Sequence, residues 1–250
     1  MSYNKSVSMN FSITPTVKWL MIINGVIWFF GQIILEKFVG VPLSSFAALY
    51  PAKVIFDFNI WQLFTYMFLH TYNASHIVFN MLMLWFLGVS LEERWGRRFF
   101  LSYYLGTGVG AAIFYCIGNW IYYWFRPGET MGLVVPVMGA SGAVFGLLLA
   151  YGKIFGDRTI YAFMVFPMKA KYFVMLLGAI EFSNLLTSDV SGGDVAYLAH
   201  LGGLASGFIM LWIIGRWQRV KWNQKLKKRT TGLKLVVDNE KDKKEPRYWN

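Results

Sequence analysis

Apolar residues run along this chain in long blocks, broken by short polar or basic stretches. A helix needs about 20 apolar residues to cross the hydrocarbon core of a bilayer. Six blocks approach or exceed that length, at residues 17–38, 74–91, 98–125, 137–152, 160–186 and 195–215. The pattern predicts an all-α membrane protein, a bundle of six transmembrane helices. The first block is too long for the apolar core of a secretory signal and lacks a small-x-small cleavage site after it, so it reads as an uncleaved span. The connection at 39–72 is long and still half apolar. It predicts short amphipathic helices lying in the membrane interface, with Trp61, Tyr66 and Tyr72 at headgroup level.

Composition strengthens that picture. The chain is 56% hydrophobic and 15% charged, where soluble domains carry about 25% charged residues. Its polar surface is too small for a water-soluble protein, and its setting is the lipid bilayer. The net charge of +11 would suit nucleic acid, but the basic residues flank the apolar blocks, which assigns them to membrane orientation. No nucleic-acid motif supports the tail as a binder, so no nucleic-acid partner is expected. The single cysteine, Cys116, excludes an intramolecular disulfide and a cysteine-based zinc site, and reads as a packing residue.

Lysine and arginine concentrate at alternate connections. Arg94, Arg97 and Arg98 follow the second block, Lys153 and Arg158 the fourth, and Arg216, Arg219 and Lys221 the sixth. With Lys5 and Lys18 at the N-terminal end, both termini are expected in the cytoplasm. The predicted organisation is an N-terminal tail at 1–16, a membrane domain at 17–217 and a basic cytoplasmic tail at 218–250. The six-span plan and the lack of an organellar presequence lead to the expectation of a bacterial inner membrane.

Strongly polar residues inside membrane segments are costly and point to function. Four stand out: His76, Asn80, Ser141 and His200. His76 and Asn80, four apart, share a helix face in the first turns of the second span. Ser141 stands at the outer end of the fourth. His200 lies six residues into the sixth, roughly 9 Å deep at 1.5 Å per residue. All four therefore sit at similar shallow depth on the outer side. Gly106/Gly110, Gly142/Gly146 and Gly203/Gly207 form small-xxx-small steps that permit close helix approach. Packing the second step on the third would bring Ser141 to His200, the arrangement of an activated nucleophile. His76 and Asn80 can both donate hydrogen bonds to a developing oxyanion. The Ser141 backbone N–H, near a helix start, can join them, and Gly139 with Ala140 keeps the approach free of bulk.

"GASGAVFG" around Ser141, "AHLGGLASG" around His200 and "HIVFN" with His76 and Asn80 resemble the rhomboid family of intramembrane serine proteases. "EERWG", with Glu92, Arg94 and Gly96, matches the family's E-x-R-x-G pattern. The likeness covers about residues 17–217. It implies a six-helix bundle of rhomboid type around a water-filled cavity open to the outer face. It further implies a Ser141–His200 dyad without a third, carboxylate member, and an oxyanion hole of His76, Asn80 and the Ser141 N–H. Substrates would be single-pass transmembrane proteins, cut in or near the transmembrane segment, with no metal or organic cofactor. Two departures are visible. Trp61-Gln62 stands where many members have Trp-Arg, and Phe145 stands where some have a tyrosine stacked under the histidine. His70, at a loop position where members often have histidine, reads as a brace.

Taken singly, these residues have plainer readings. Ser141 would be helix packing, and His76 with Asn80 an interhelical hydrogen-bond pair. Glu92 with Arg94 reads as a structural ion pair, and Asp189 and Asp194 as solvated loop residues. Glu181, inside the fifth block, faces the cavity or pairs with Asn184 or a neighbouring helix; the family pattern gives it no role. The Phe-rich "YAFMVF" and "KYFVMLLGAIEF" suit a mobile wall through which a substrate helix enters. Two rival functions remain in view. A client-binding pseudoprotease would lack the serine or the histidine, and a transporter would show inverted repeats and charged midplane partners.

Overall fold

The computed structural model describes residues 12–162, 166–187 and 195–230. The readings for Lys5, Asp189, Asp194 and the tail beyond residue 230 fall outside those residues. The chain is mostly helical. Four helices are long and apolar enough to cross a membrane: Pro15–Phe38, Ala74–Trp95, Arg97–Phe125 and Tyr197–Arg216. The fourth predicted block forms only a shorter apolar helix, Ser141–Ile154.

Helix α1 (Pro15–Val26) starts with proline in its first turn, where the missing N–H costs nothing. It continues as a π-helix over Ile27–Phe38. Three short helices follow, α2 (Leu43–Ala47), α3 (Pro51–Phe56) and α4 (Gln62–Thr65), and a 3-10 turn at Tyr66–Phe68. Asn73 then caps α5 (Ala74–Trp95) by accepting from the Ser75 N–H at 3.1 Å. Gly96, at φ 79°, ends α5 and lets the chain turn into α6 (Arg97–Phe125). A short α7 (Met131–Val134) precedes α8 (Ser141–Ile154).

The fifth block departs from expectation. Residues 160–162 and 166–169 are not helical: β1 (Thr159–Ala162) and β2 (Phe166–Lys169) pair antiparallel, and α9 (Ala170–Thr187) begins only after them. Pro167, with no N–H to give, explains why a helix cannot run through this stretch. Asp157 closes the base of the strand pair, 2.7 Å from Lys171 and 3.7 Å from Lys169.

Helix α8 is the centre of the bundle. Gly142, Ala143, Val144, Gly146, Leu147, Leu148, Ala150 and Tyr151 are all buried, with α5, α6 and α9 packed around them. Cys116 is buried on α6, as expected of a packing residue. Outward-facing Phe79, Phe125, Phe182 and Ile117 are more than half exposed. An apolar belt of that extent is tolerated where lipid is the solvent. Helix α10 (Val195–Thr230) passes from the bundle, which ends at Leu211, into a second compact unit starting at Trp212. In that second unit the Arg216 guanidinium lies over the Trp212 ring at 5.5 Å.

Buried amides and a carboxylate fix the loop and the first helix. Gln62 is fully buried, accepts from the Tyr50 N–H at 3.0 Å and donates to the Phe46 carbonyl at 3.1 Å. An amide therefore satisfies this loop where many family members use arginine. Tyr66, expected at headgroup level, is instead buried, its hydroxyl donating to the Gly108 carbonyl at 2.8 Å. Glu92 does not form the expected pair with Arg94. It accepts from Thr14 Oγ1 at 2.6 Å, Thr16 N–H at 3.0 Å and Val17 N–H at 3.0 Å, capping α1, while Arg97 approaches at 4.0 Å. Replacing Glu92 with Ala strands those buried donors and is expected to cost about 3 kcal/mol, read as a lowered thermal midpoint in detergent. Arg94→Ala should leave the midpoint nearly unchanged.

Candidate active site

Ser141 owes its position to the turn before α8. The Gly139 N–H donates to the Tyr66 carbonyl at 3.0 Å, and Leu49 and Val137 form an antiparallel bridge one step upstream. Gly139 has φ 136°, a conformation side-chain-bearing residues rarely adopt. Ser141 is the first residue of α8, so its N–H has no intrahelical acceptor.

His200 reaches Ser141 because α8 and α10 touch through glycine. A Cβ on Gly203 would collide with the Gly142 carbonyl, and one on Gly207 would lie 3.1 Å from the Gly146 Cα. This is the stripe-on-stripe contact the spacing predicts. Gly106 and Gly110 meet Met210 and Ser206 of α10. At this seam His200 Nε2 lies 2.8 Å from Ser141 Oγ. The Phe145 ring stacks on the imidazole at 4.4 Å with an 11° tilt.

His76 faces the same place from the start of α5. Its Nδ1 lies 3.2 Å from both the N–H and the hydroxyl of Thr71. Nδ1 accepts from that N–H, which leaves the proton of the neutral ring on Nε2. The space where a Gly139 side chain would begin is 3.0 Å from His76 Nε2 and 3.7 Å from Ser141 Oγ. Gly139 therefore leaves a gap bounded by a donor and a hydroxyl. Asn80, one turn deeper and buried, gives one amide N–H to the His76 carbonyl at 2.8 Å and has a second to offer. Ser141, His76 and His200 are half-buried rather than sealed.

Two further groups belong to this neighbourhood. Glu181 of α9 places Oε2 2.9 Å from His200 Nδ1. Of the expected alternatives, its partner is thus on a neighbouring helix, α10, rather than Asn184, and a carboxylate stands where the family resemblance implies none. The signal was present in the sequence, as an ionisable residue inside an apolar block; its partner was not. His70 is fully buried, and neither ring nitrogen has a partner of hydrogen-bond geometry among the described residues. Its backbone is locked to Gln32 of the first helix by reciprocal bonds of 2.6 and 2.7 Å. It braces the loop and packs edge-on against His76, with ring centroids 5.2 Å apart.

Burial, helped by the facing His76 ring and opposed by the Phe68 carbonyl, pulls the His70 pKa down to about 3. The folded state then holds fewer protons than the unfolded one between about pH 3 and the ordinary histidine value near 6.5. Full stability is expected above about pH 6.5 and should be lost progressively as pH falls toward 3. Thermal melts at pH 7 and 5 check this: His70→Phe should lose less on acidification than the wild-type chain.

A cavity of about 530 Å³ lies among Gly152, Lys153, Phe155, Arg158 and Lys171. It is at the far end of α8, ~20 Å along the helix from Ser141, and is separate from this chemistry.

Residues 57–217 match the family described as the Rhomboid domain. Among curated proteins, the chain is 31% identical over 141 residues to the yeast Rhomboid protein 1, mitochondrial, covering 56% of this chain and 38% of that protein. It is 30% identical over 175 residues to rhomboid protease AarA of Providencia stuartii, covering 63% and 60%. It is 26% identical over 208 residues to the putative rhomboid protease YdcA of Bacillus subtilis, covering 78% and 86%. The chain spans about 38% to 43% of the length of the yeast protein and two Arabidopsis relatives. By the extent of the domain match, the chain belongs to the rhomboid family.

Proposed function

We propose that this protein is an intramembrane serine endopeptidase that cleaves single-pass membrane proteins in or near their transmembrane segment. The observation that carries the reading is the 2.8 Å approach of Ser141 Oγ to His200 Nε2, beside a gap that Gly139 keeps open. Ser141 Oγ attacks the scissile carbonyl carbon while His200 Nε2 takes the hydroxyl proton. The carbonyl oxygen becomes an oxyanion facing His76 Nε2–H, the Asn80 amide and the Ser141 N–H. On collapse the C–N bond breaks, and His200 returns the proton to the leaving amine. Water, deprotonated by the same imidazole, then releases the acyl group and regenerates Ser141.

The membrane arrangement follows the charge pattern. The four long apolar helices, with α8 and α9 as shorter crossings, make six spans, and the loop helices α2 to α4 lie in the interface. The basic connections put both termini in the cytoplasm, with 17–217 as the membrane domain, preceded by 1–16 and followed by a basic tail from 218. The bacterial relatives, matched over 60% and 86% of their lengths, support a bacterial cell membrane. No cofactor enters the chemistry.

The test is reconstitution of the purified chain in lipid vesicles with a single-pass substrate carrying small residues at its membrane boundary. Two fragments with a new terminus in or beside the membrane segment are expected. A substrate that is retained intact and co-purifies uncut would favour the client-binding reading instead.

A further inference from the structure

We propose that Glu181 is a positioning residue for His200, making the site a Ser141–His200–Glu181 constellation rather than a two-residue one. This rests on the protease reading above and adds a third residue to it. A neutral imidazole carries one N–H and one bare nitrogen. For Ser141 to donate its hydroxyl proton, the bare nitrogen must be Nε2, so the ring proton must be on Nδ1. An ionised carboxylate only accepts hydrogen bonds, and Glu181 Oε2 stands 2.9 Å from Nδ1. It therefore favours the one tautomer that leaves Nε2 free for Ser141.

The surroundings give that contact weight. The Glu181 and His200 side chains are only 13% and 17% exposed, so solvent weakens their attraction less than at an open surface. The imidazole is held on three sides by two neighbouring helices: Phe145 of α8 against its face, Ser141 of α8 at Nε2 and Glu181 of α9 at Nδ1. When Nε2 takes the serine proton the ring becomes a cation, and Glu181 is the anion already beside it. The proton moves only between Ser141, His200 and the leaving amine. A carboxylate in an apolar helix is costly without such a partner, which argues against an incidental contact.

Two measurements on the full chain test the proposal. In Glu181→Gln, kcat for the single-pass substrate should fall ~100-fold, less than the ~10⁴-fold seen for a buried triad carboxylate, with KM within about twofold. Glu181→Asp should recover part of the loss, and Glu181→Ala should not. In the wild-type protein, nitrogen NMR of labelled histidine needs to resolve only three residues. Neutral His200, assigned by its loss in His200→Ala, should carry its proton on Nδ1, and this preference should relax in Glu181→Ala. A wild-type His200 protonated on Nε2, or an undiminished kcat in Glu181→Gln, overturns the proposal. If the variants do not fold, the wild-type tautomer decides. Ser141→Ala separates the levels: an inactive Ser141→Ala beside a fully active Glu181→Gln sinks only the role of Glu181, whereas an active Ser141→Ala sinks the protease reading itself.

Discussion

Ser141→Ala should lower the cleavage rate by at least ~10³-fold while the fold and substrate binding persist. The alanine removes one oxygen from a half-buried position and leaves α8 intact, so its thermal midpoint should stay near wild type. His200→Ala should cost a similar factor, since the hydroxyl is a weak nucleophile without a base. The double variant should be little worse than either single one, because residues acting as one unit are strongly non-additive. Gel-based or fluorescent cleavage assays in vesicles read all three rates. Additive losses would mean that the serine and the histidine work separately, and the 2.8 Å contact would then have no catalytic meaning.

Gly203→Val should be the most damaging substitution outside the reacting groups. A Cβ at this position would overlap the Gly142 carbonyl and press within 3.2 Å of the Phe145 Cβ. The obstacle is backbone, which cannot rotate aside, so α8 and α10 must separate. Overpacking of this kind costs about 1–3 kcal/mol, occasionally more. A separation of ~1 Å would also stretch the Ser141–His200 hydrogen bond past useful geometry. Activity should therefore fall ~100-fold or more even where folded protein is recovered, since a 1 Å misplacement can cost that much. Gly215→Val on the same helix is the control, because a Cβ there meets nothing within 4 Å. Thermal unfolding and cleavage measured on both variants separate seam damage from a general intolerance of α10 to valine.

The residues that meet at this site were more legible in the sequence than the shape of the bundle. Ser141, His76, Asn80 and His200 could be singled out because polar groups in apolar blocks are rare, and the glycine steps predicted which helices would touch. Phe145 was expected under His200 only through the resemblance to the rhomboid family, some members of which have a stacked tyrosine there. The strand pair at 159–162 and 166–169 was not legible from hydropathy: a short apolar run reads alike as strand or buried helix, and only Pro167 argued against a helix. The fourth block already read as short and glycine-rich, and its helix runs only over Ser141–Ile154. The contacts of Glu92, Gln32, Gln62 and Glu181 were out of reach for another reason. Each polar side chain meets a partner set by how distant elements pack, and 19 positions separate Glu181 from His200. Spacing along one helix carries no information about such a pair.

The proposed protease depends above all on a base on α10 that activates a serine at the start of α8. It is tested most directly by exposing the purified, folded protein to a serine-directed fluorophosphonate and mapping the adduct by peptide mass spectrometry. The predicted result is a single adduct on Ser141 that forms readily in the wild-type chain and drops to background in His200→Ala. An adduct that forms equally fast without the imidazole, or no adduct on Ser141 in a preparation that cleaves its substrate, would contradict that dependence.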